Sequence, residues 1–185
     1  MKKKGLALLL ALTLVVVGVA SGTLAWLTAK TDTVTNTFTT SDIKVTLEES
    51  TGTEYKMIPG FEITKDPKAT VVTGSEECFL FVKLEKSADF DNYLEYKVAS
   101  GWTALEGEDG VYSRKVVTAD MGTAYDVLDG NKVTVKGSVT KSDMDALNAE
   151  GAVKPTLKVT AYASQLYKSA GFEFTAAEAW ANVNA

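Results

Sequence analysis

The sequence predicts an all-β fold: a jelly-roll-like antiparallel β-sandwich with two short helices, one of them C-terminal. Three observations predict it. Apolar and polar residues alternate with period two along the chain beyond Thr40, turn-forming residues recur between the alternating runs, and only two stretches carry a helix-opening signature. Alternation gives each strand one wet and one dry face, whereas a parallel sheet covered on both sides would read as unbroken apolar runs.

Taken in order, Ile43, Val45 and Leu47 alternate with Asp42, Lys44, Thr46 and Glu48 in the first strand. The structural turn Pro59-Gly60 leads into a strand over Phe61 to Val72, and Thr73-Gly74-Ser75 separates it from another at Cys78 to Lys86. Strands follow at Tyr93 to Val98, Gly110 to Thr118 and Ala124 to Leu128, divided by Ser100-Gly101 and Glu108-Asp109-Gly110. Asp129-Gly130 between two β-prone runs predicts a tight hairpin into Val133, Val135 and Val139, which alternate with Lys132, Thr134, Lys136, Ser138 and Thr140. Ser142 with Asp145 reads as a capping box that opens a short helix through Met144, Ala146 and Leu147, stopped by Gly151. Leu157, Val159, Ala161 and Ala163 form the last clear strand. Thr175 with Glu178 opens the second helix, where Ala176, Trp180 and Val183 share one side, so Trp180 is expected to anchor it on the sandwich.

The N-terminus has the order of a secretory signal peptide: Lys2, Lys3 and Lys4, an uncharged run from Gly5 to Ala29 with its apolar centre at Leu6 to Ala20, then small residues. Thr23-Leu24-Ala25 places cleavage between Ala25 and Trp26; cuts after Ala20 or Gly22, or an uncleaved anchor, are the alternatives. An apolar run of about 18 residues is close to the roughly 20 that span a bilayer. The expected organisation is thus a signal peptide over 1–25, a β-prone segment over 26–40 and a β-sandwich domain over 41–185. Loss of the three lysines with the leader takes the formal charge from -5 to -8. That sign opposes nucleic-acid binding and docking on an anionic membrane, leaving only the transient contact of the leader.

Cys78 is the single cysteine, so no internal disulfide forms, and its apolar neighbours predict a buried small hydrophobe rather than an intermolecular bridge. The chain has no histidine, which removes the usual general base, the usual metal ligand and every Ser-His or Cys-His nucleophile. The acidic clusters Glu76-Glu77, Glu106 to Asp109 and Asp126 to Asp129 lack the spacing of an EF-hand and read as solvated turns. No glycine cluster lies between a strand and a long helix to cradle phosphate. No enzyme, metal or cofactor is expected.

Trp26 to Thr40 is rich in β-branched residues and poor in strongly apolar ones. Extended at about 3.3 Å per residue it reaches on the order of 50 Å, enough to lie along a neighbouring sheet. Freed by cleavage, it can add to an exposed edge of another molecule, or fold back as the first strand of its own domain. Trp26, Leu27, Val34, Asn36 and Phe38 are the candidate assembly residues.

Gly22-Thr23-Leu24-Ala25-Trp26-Leu27-Thr28, then Asn36-Thr37-Phe38-Thr39, then Ile43 to Leu47, resembles the start of the TasA/camelysin family of exported bacterial proteins, whose leaders are cut by a SipW-like signal peptidase. The resemblance continues through Met57-Ile58-Pro59-Gly60, Lys65-Asp66-Pro67, Gly74-Ser75, Phe79 to Lys83, Gly101-Trp102-Thr103, Gly110-Val111-Tyr112, Ala161 to Gln165 and Ala176 to Trp180. It implies a jelly-roll subunit of an extracellular biofilm matrix or cell-surface fibre, in which the N-terminal strand of one subunit completes the sheet of the next. The partners implied are further copies of the chain or related matrix subunits, together with the signal peptidase. This chain is shorter than the fibre-forming members and lacks their long acidic insert or tail. The metallopeptidase label carried by camelysin relatives finds no support without a His-Glu-x-x-His motif. The alternative function is a monomeric secreted or surface-attached binding or adhesion domain, contacting its target through Trp102 or the Glu106 to Gly110 loop; burial of Trp102 in the core is the competing reading.

Overall fold

Alternation in the sequence becomes antiparallel sheet throughout the described chain, which is residues 42–183 of a computed structural model, apart from Thr53. The strands are β1 (Val45–Glu48), β2 (Glu62–Thr64), β3 (Lys68–Val71), β4 (Cys78–Lys86), β5 (Leu94–Glu95) and β6 (Thr103–Ala104) in the first half. They continue as β7 (Val111–Val116), β8 (Ala124–Asp126), β9 (Lys132–Val135), β10 (Leu157–Gln165), β11 (Tyr167–Ser169) and β12 (Phe172–Glu173). Helix α1 (Phe90–Tyr93) is a single turn, while α2 (Lys141–Asn148) and α3 (Ala176–Val183) are the two longer helices. Every ladder is antiparallel, in the orders β10-β4-β7-β6, β1-β3-β8, β2-β9-β5 and β11-β12.

The organising strand is β4, and its composition shows why. Cys78, Leu80, Val82 and Leu84 point into one apolar cluster with Ala69 and Val71 of β3, Val133 and Val135 of β9, and Val127 and Leu128. Phe79 and Phe81 point the other way, into a second cluster closed by Ala179 and Trp180 of α3. A strand apolar on both faces is stable only where both faces are covered, and β4 has a sheet on one side and a helix on the other. Its full length pairs with β10, from Leu157 opposite Lys86 to Gln165 opposite Cys78.

Several elements depart from the sequence expectations. The strand expected over Phe61 to Val72 is split into β2 and β3 at Asp66-Pro67. Pro67 has no N–H for a ladder, and its carbonyl instead accepts from Val127 N–H at 2.9 Å. Asp129-Gly130 does turn, with Gly130 at φ +63°, but not as a hairpin: β8 pairs with β3 and β9 with β2 and β5, so the turn carries the chain between sheets. Of the strand expected over Tyr93 to Val98, Leu94–Glu95 pairs with β9 and Val98 makes one bridge to Leu128.

The helix expected from Ser142 is capped two residues earlier. Thr140 Oγ1 accepts from Asp143 N–H at 3.3 Å while Asp143 Oδ2 accepts from Thr140 N–H at 2.8 Å. Both positions satisfy the S/T-x-x-D spacing, and the pair nearer the preceding turn wins. The reciprocal bonds of Thr175 and Glu178 open α3 as expected, at 3.2 and 2.8 Å. The β11-β12 hairpin lies outside the alternating runs, and its signal is Gly171, at φ +78° between Tyr167 and Phe172.

Candidate functional site

The residues at the expected cleavage point, Ala25 and Trp26, and the assembly residues Leu27, Val34, Asn36 and Phe38 lie outside the described residues. What is described is the place where that segment joins the domain. Asp42 C=O accepts from Glu76 N–H at 3.2 Å, Lys44 N–H donates to Ser75 Oγ at 3.0 Å, and Val72 N–H donates to Lys44 C=O at 2.8 Å. The chain therefore enters beside the turn that precedes Cys78, at the end of the main sheet where Cys78 pairs with Gln165.

From there β1 runs toward the opposite end and borders β10, with Cα atoms of the two strands within 8 Å of each other. β1 is hydrogen-bonded to β3 and β10 to β4, yet among the described residues no ladder joins β1 to β10. Side-chain packing alone bridges this seam: Val45 and Leu47 from one strand and Leu157, Val159, Ala161 and Ala163 from the other pack on the main cluster. At the Leu157 end the seam opens into a gap of about 290 Å³ lined by Leu47, Glu48, Glu49, Lys65, Leu157 and Val159. Lys65 bonds Glu49 there at 2.8 and 3.0 Å.

A larger cleft of about 870 Å³ lies at the same end, floored by Met57, Ile63, Phe90, Leu94, Met144 and Leu147 among other residues. The Pro59-Gly60 turn stands near it and is built as expected. Phe61 N–H donates to Ile58 C=O at 3.0 Å, Gly60 takes φ +80°, and Gly60 N–H and Phe61 C=O bond the two sides of Val135 at 3.0 and 2.9 Å. The turn leaves Ile58 and Phe61 exposed, at 54% and 62%.

Trp180 is the anchor the sequence predicts. It is 6% exposed, with Phe81 at 5.2 Å and Tyr162 edge-on at 5.4 Å between ring centroids. Trp102 is not a free contact residue: its indole N–H donates to Asp126 C=O at 2.8 Å, Tyr125 packs edge-on at 6.5 Å, and the Arg114 guanidinium lies 5.1 Å from its ring. Arg114 itself is fixed by Ser100 and Gly101 carbonyls at 2.7 and 3.1 Å. Trp102 is half-buried and packs against the edge of the main cluster, between the two sequence readings. The Glu106 to Gly110 loop closes the β6-β7 hairpin through backbone bonds from Glu108 to Leu105 and from Val111 to Glu108.

Among the acidic residues, Glu77 has a structural role its sequence context hides. It accepts from Thr118 N–H and Oγ1, both at 3.0 Å, and from Tyr167 Oη at 3.1 Å, tying the turn after β7 and the first residue of β11 to the start of β4. The Thr118 N–H, then the two hydroxyls, hold this carboxyl below the usual range. Cys78 is fully buried, and burial pushes its thiol up to about 11, so it is a packing residue. Among the described residues no three His, Cys, Asp or Glu side chains converge as a metal-binding group, and no helix is long and apolar enough to cross a membrane.

Comparison of the chain with protein-family models, with curated proteins and with solved structures finds no match in any of the three.

Proposed function

We propose that this chain is an exported structural subunit of an extracellular matrix or cell-surface fibre, related to the TasA/camelysin family and assembled by adding its N-terminal segment to the sheet of a neighbouring copy or a related subunit. In this reading a signal peptidase cuts between Ala25 and Trp26, and the product stays outside the cell. The domain is read as a jelly-roll sandwich, with β10-β4-β7-β6 as one layer and β1-β3-β8 with β2-β9-β5 opposite. The observation that carries the proposal is β10, a nine-residue strand with a ladder on one side only among the described residues. A backbone edge of that length offers about 30 Å of unpaired N–H and C=O groups, the template on which strand addition works.

The test is to secrete the full chain from a Gram-positive host, identify its first residue by mass spectrometry and image the concentrated protein by negative-stain electron microscopy. Fibres that disappear when residues 26–38 are deleted meet the expectation. Mature protein that stays monomeric across pH, salt and concentration sinks it. The apolar cleft near Pro59 favours the second reading, a monomeric binding or adhesion domain, because concave apolar surfaces of this size are where ligands are held.

A further inference from the structure

The proposed assembly leaves open which edge receives the incoming strand. We infer that the acceptor is the seam between β1 and β10, filled by residues 26–38 of a second copy running antiparallel to β10; this rests on the strand-addition reading above.

Three observations converge on the seam. It is the one place among the described residues where a long strand borders a second strand without a ladder. The other strands at the ends of the three- and four-stranded sheets, β8, β6, β2 and β5, have two or three residues each and offer little to pair with. The long edge also lacks the usual protection: β10 has no proline and no bulge in its register, and Lys158, near one end, is its only charge.

Polarity then separates exchange from folding back. Asp42 sits at the Gln165 end of the sheet, beside Glu76, whereas the gap at Glu48 and Leu157 is at the other end. A segment that leaves one subunit at its Gln165 end and meets the next subunit at its Leu157 end has Phe38 near Leu157 and Trp26 toward Gln165. It therefore runs opposite to β10. Within its own subunit the same segment could reach the seam only from the Gln165 end, which places it parallel to β10 after a sharp reversal into β1. That reversal would fall on Thr39-Thr40-Ser41-Asp42. Two-residue hairpins need positive φ, supplied by glycine, asparagine or aspartate; this stretch has no glycine or asparagine, its one aspartate, Asp42, is not at positive φ, and two of its residues are β-branched.

The occupant suits the slot. Residues 26–40 contain no proline and no glycine, so every N–H can enter a ladder, and seven of them are threonine, a residue that favours strands. A strand flanked on both sides needs about 9.6 Å between its neighbours, twice the ordinary spacing. The seam, where Cα atoms of β1 and β10 come within 8 Å, must widen to admit it, and what resists widening is packing without hydrogen bonds. The gap at Leu157 is where such opening starts.

The test uses the full chain, secreted and processed, with Cys78 left in place as a buried internal control. One population, isotope-labelled, carries Thr37→Cys, and a second carries Lys158→Cys or Gln165→Cys. After mixing, assembly and mild oxidation, disulfides are mapped by mass spectrometry. The expected result is a Thr37→Cys to Lys158→Cys link between labelled and unlabelled chains, and little between Thr37→Cys and Gln165→Cys. Single chains carrying both Thr37→Cys and Gln165→Cys should polymerise without an internal link. An internal link in those chains would show that the segment folds back, overturning the inference. Fibres that need residues 26–38 but link at neither β10 position would overturn the seam while leaving strand addition intact. Absence of any polymer would remove both.

Discussion

The ring of Phe81, in the middle of β4, lies 5.2 Å from the indole of Trp180 in α3, and neither side chain is more than 6% exposed. This contact makes the C-terminal helix the cover for the second face of the central strand. Truncation to Trp180→Ala should cost about 3–5 kcal/mol, because the surrounding strands are too constrained to close the cavity. Urea unfolding of the variant should show a lower midpoint with a similar slope. A loss below about 1 kcal/mol would mean that α3 is an accessory and β4 is covered by something else.

Gly110 and Gly107 both take positive φ, at +72° and +83°, but only Gly110 is crowded: a Cβ there would come 2.4 Å from Leu84 C=O, whereas nothing lies within 4 Å of one at Gly107. Gly107→Ala should lose about 1–2 kcal/mol for the left-handed backbone alone. Gly110→Ala should lose clearly more, because its own carbonyl accepts from Leu84 N–H at 2.9 Å and the clash pushes that bond apart. Equal losses in thermal unfolding would mean that the β6-β7 hairpin shifts freely over β4.

Glu77 supplies the acid-sensitive joint. Its carboxyl is held below the usual range by Thr118 and Tyr167, so the stabilisation is present above the unfolded-state value, near 4.5, and is lost as pH falls through the lower folded value. Asp143 and Glu178, lowered by their helix caps, add to the same loss. Stability measured by urea midpoint should be level above about pH 5 and decline below it. Glu77→Gln should lower the plateau and flatten part of the decline; an unchanged slope would place the acid response in the other lowered carboxylates, which include Asp66 and Glu85.

How much of this was legible in the sequence depends on whether the deciding contact is local. The Thr175–Glu178 cap, the Pro59-Gly60 turn and the Cys78 to Lys86 strand rest on neighbours a few residues apart, and they stand where periodicity and turn chemistry put them. Asp129-Gly130 is locally a good hairpin turn, yet the choice of sheet on either side belongs to β3 and β2, about sixty residues back, and no local pattern reports it. Glu77 was hidden for the same reason: Thr118 and Tyr167, which give it a role, are 41 and 90 residues away. Trp102 could be read as ligand contact or core from its neighbours alone, and it is Arg114 and Asp126, distant in sequence, that hold it half-buried against the core. Two edges meeting without hydrogen bonds, as β1 and β10 do, leave no trace in periodicity at all.

Cys78 gives an alkaline counterpart to the acid limb and a direct probe of the core. Its side chain is fully buried between β10 and β7, with Gln165 and Val116 as ladder partners. Burial opposes the thiolate and raises the thiol to about 11 from 9.0. A raised value favours the protonated folded form, so this contribution is complete below about pH 9 and is lost as pH climbs through 11. Tyr96, raised to about 12 mainly by burial, extends the loss further. Native protein at pH 8 should react with a thiol reagent far more slowly than a free cysteine, and the label should appear only as urea unfolds the domain. Cys78→Val, which keeps the site apolar, should stay folded and remove the first part of the alkaline decline. Rapid labelling of native protein would instead mean that the start of β4, where Cys78 pairs with Gln165 and Val116, opens readily in the folded domain.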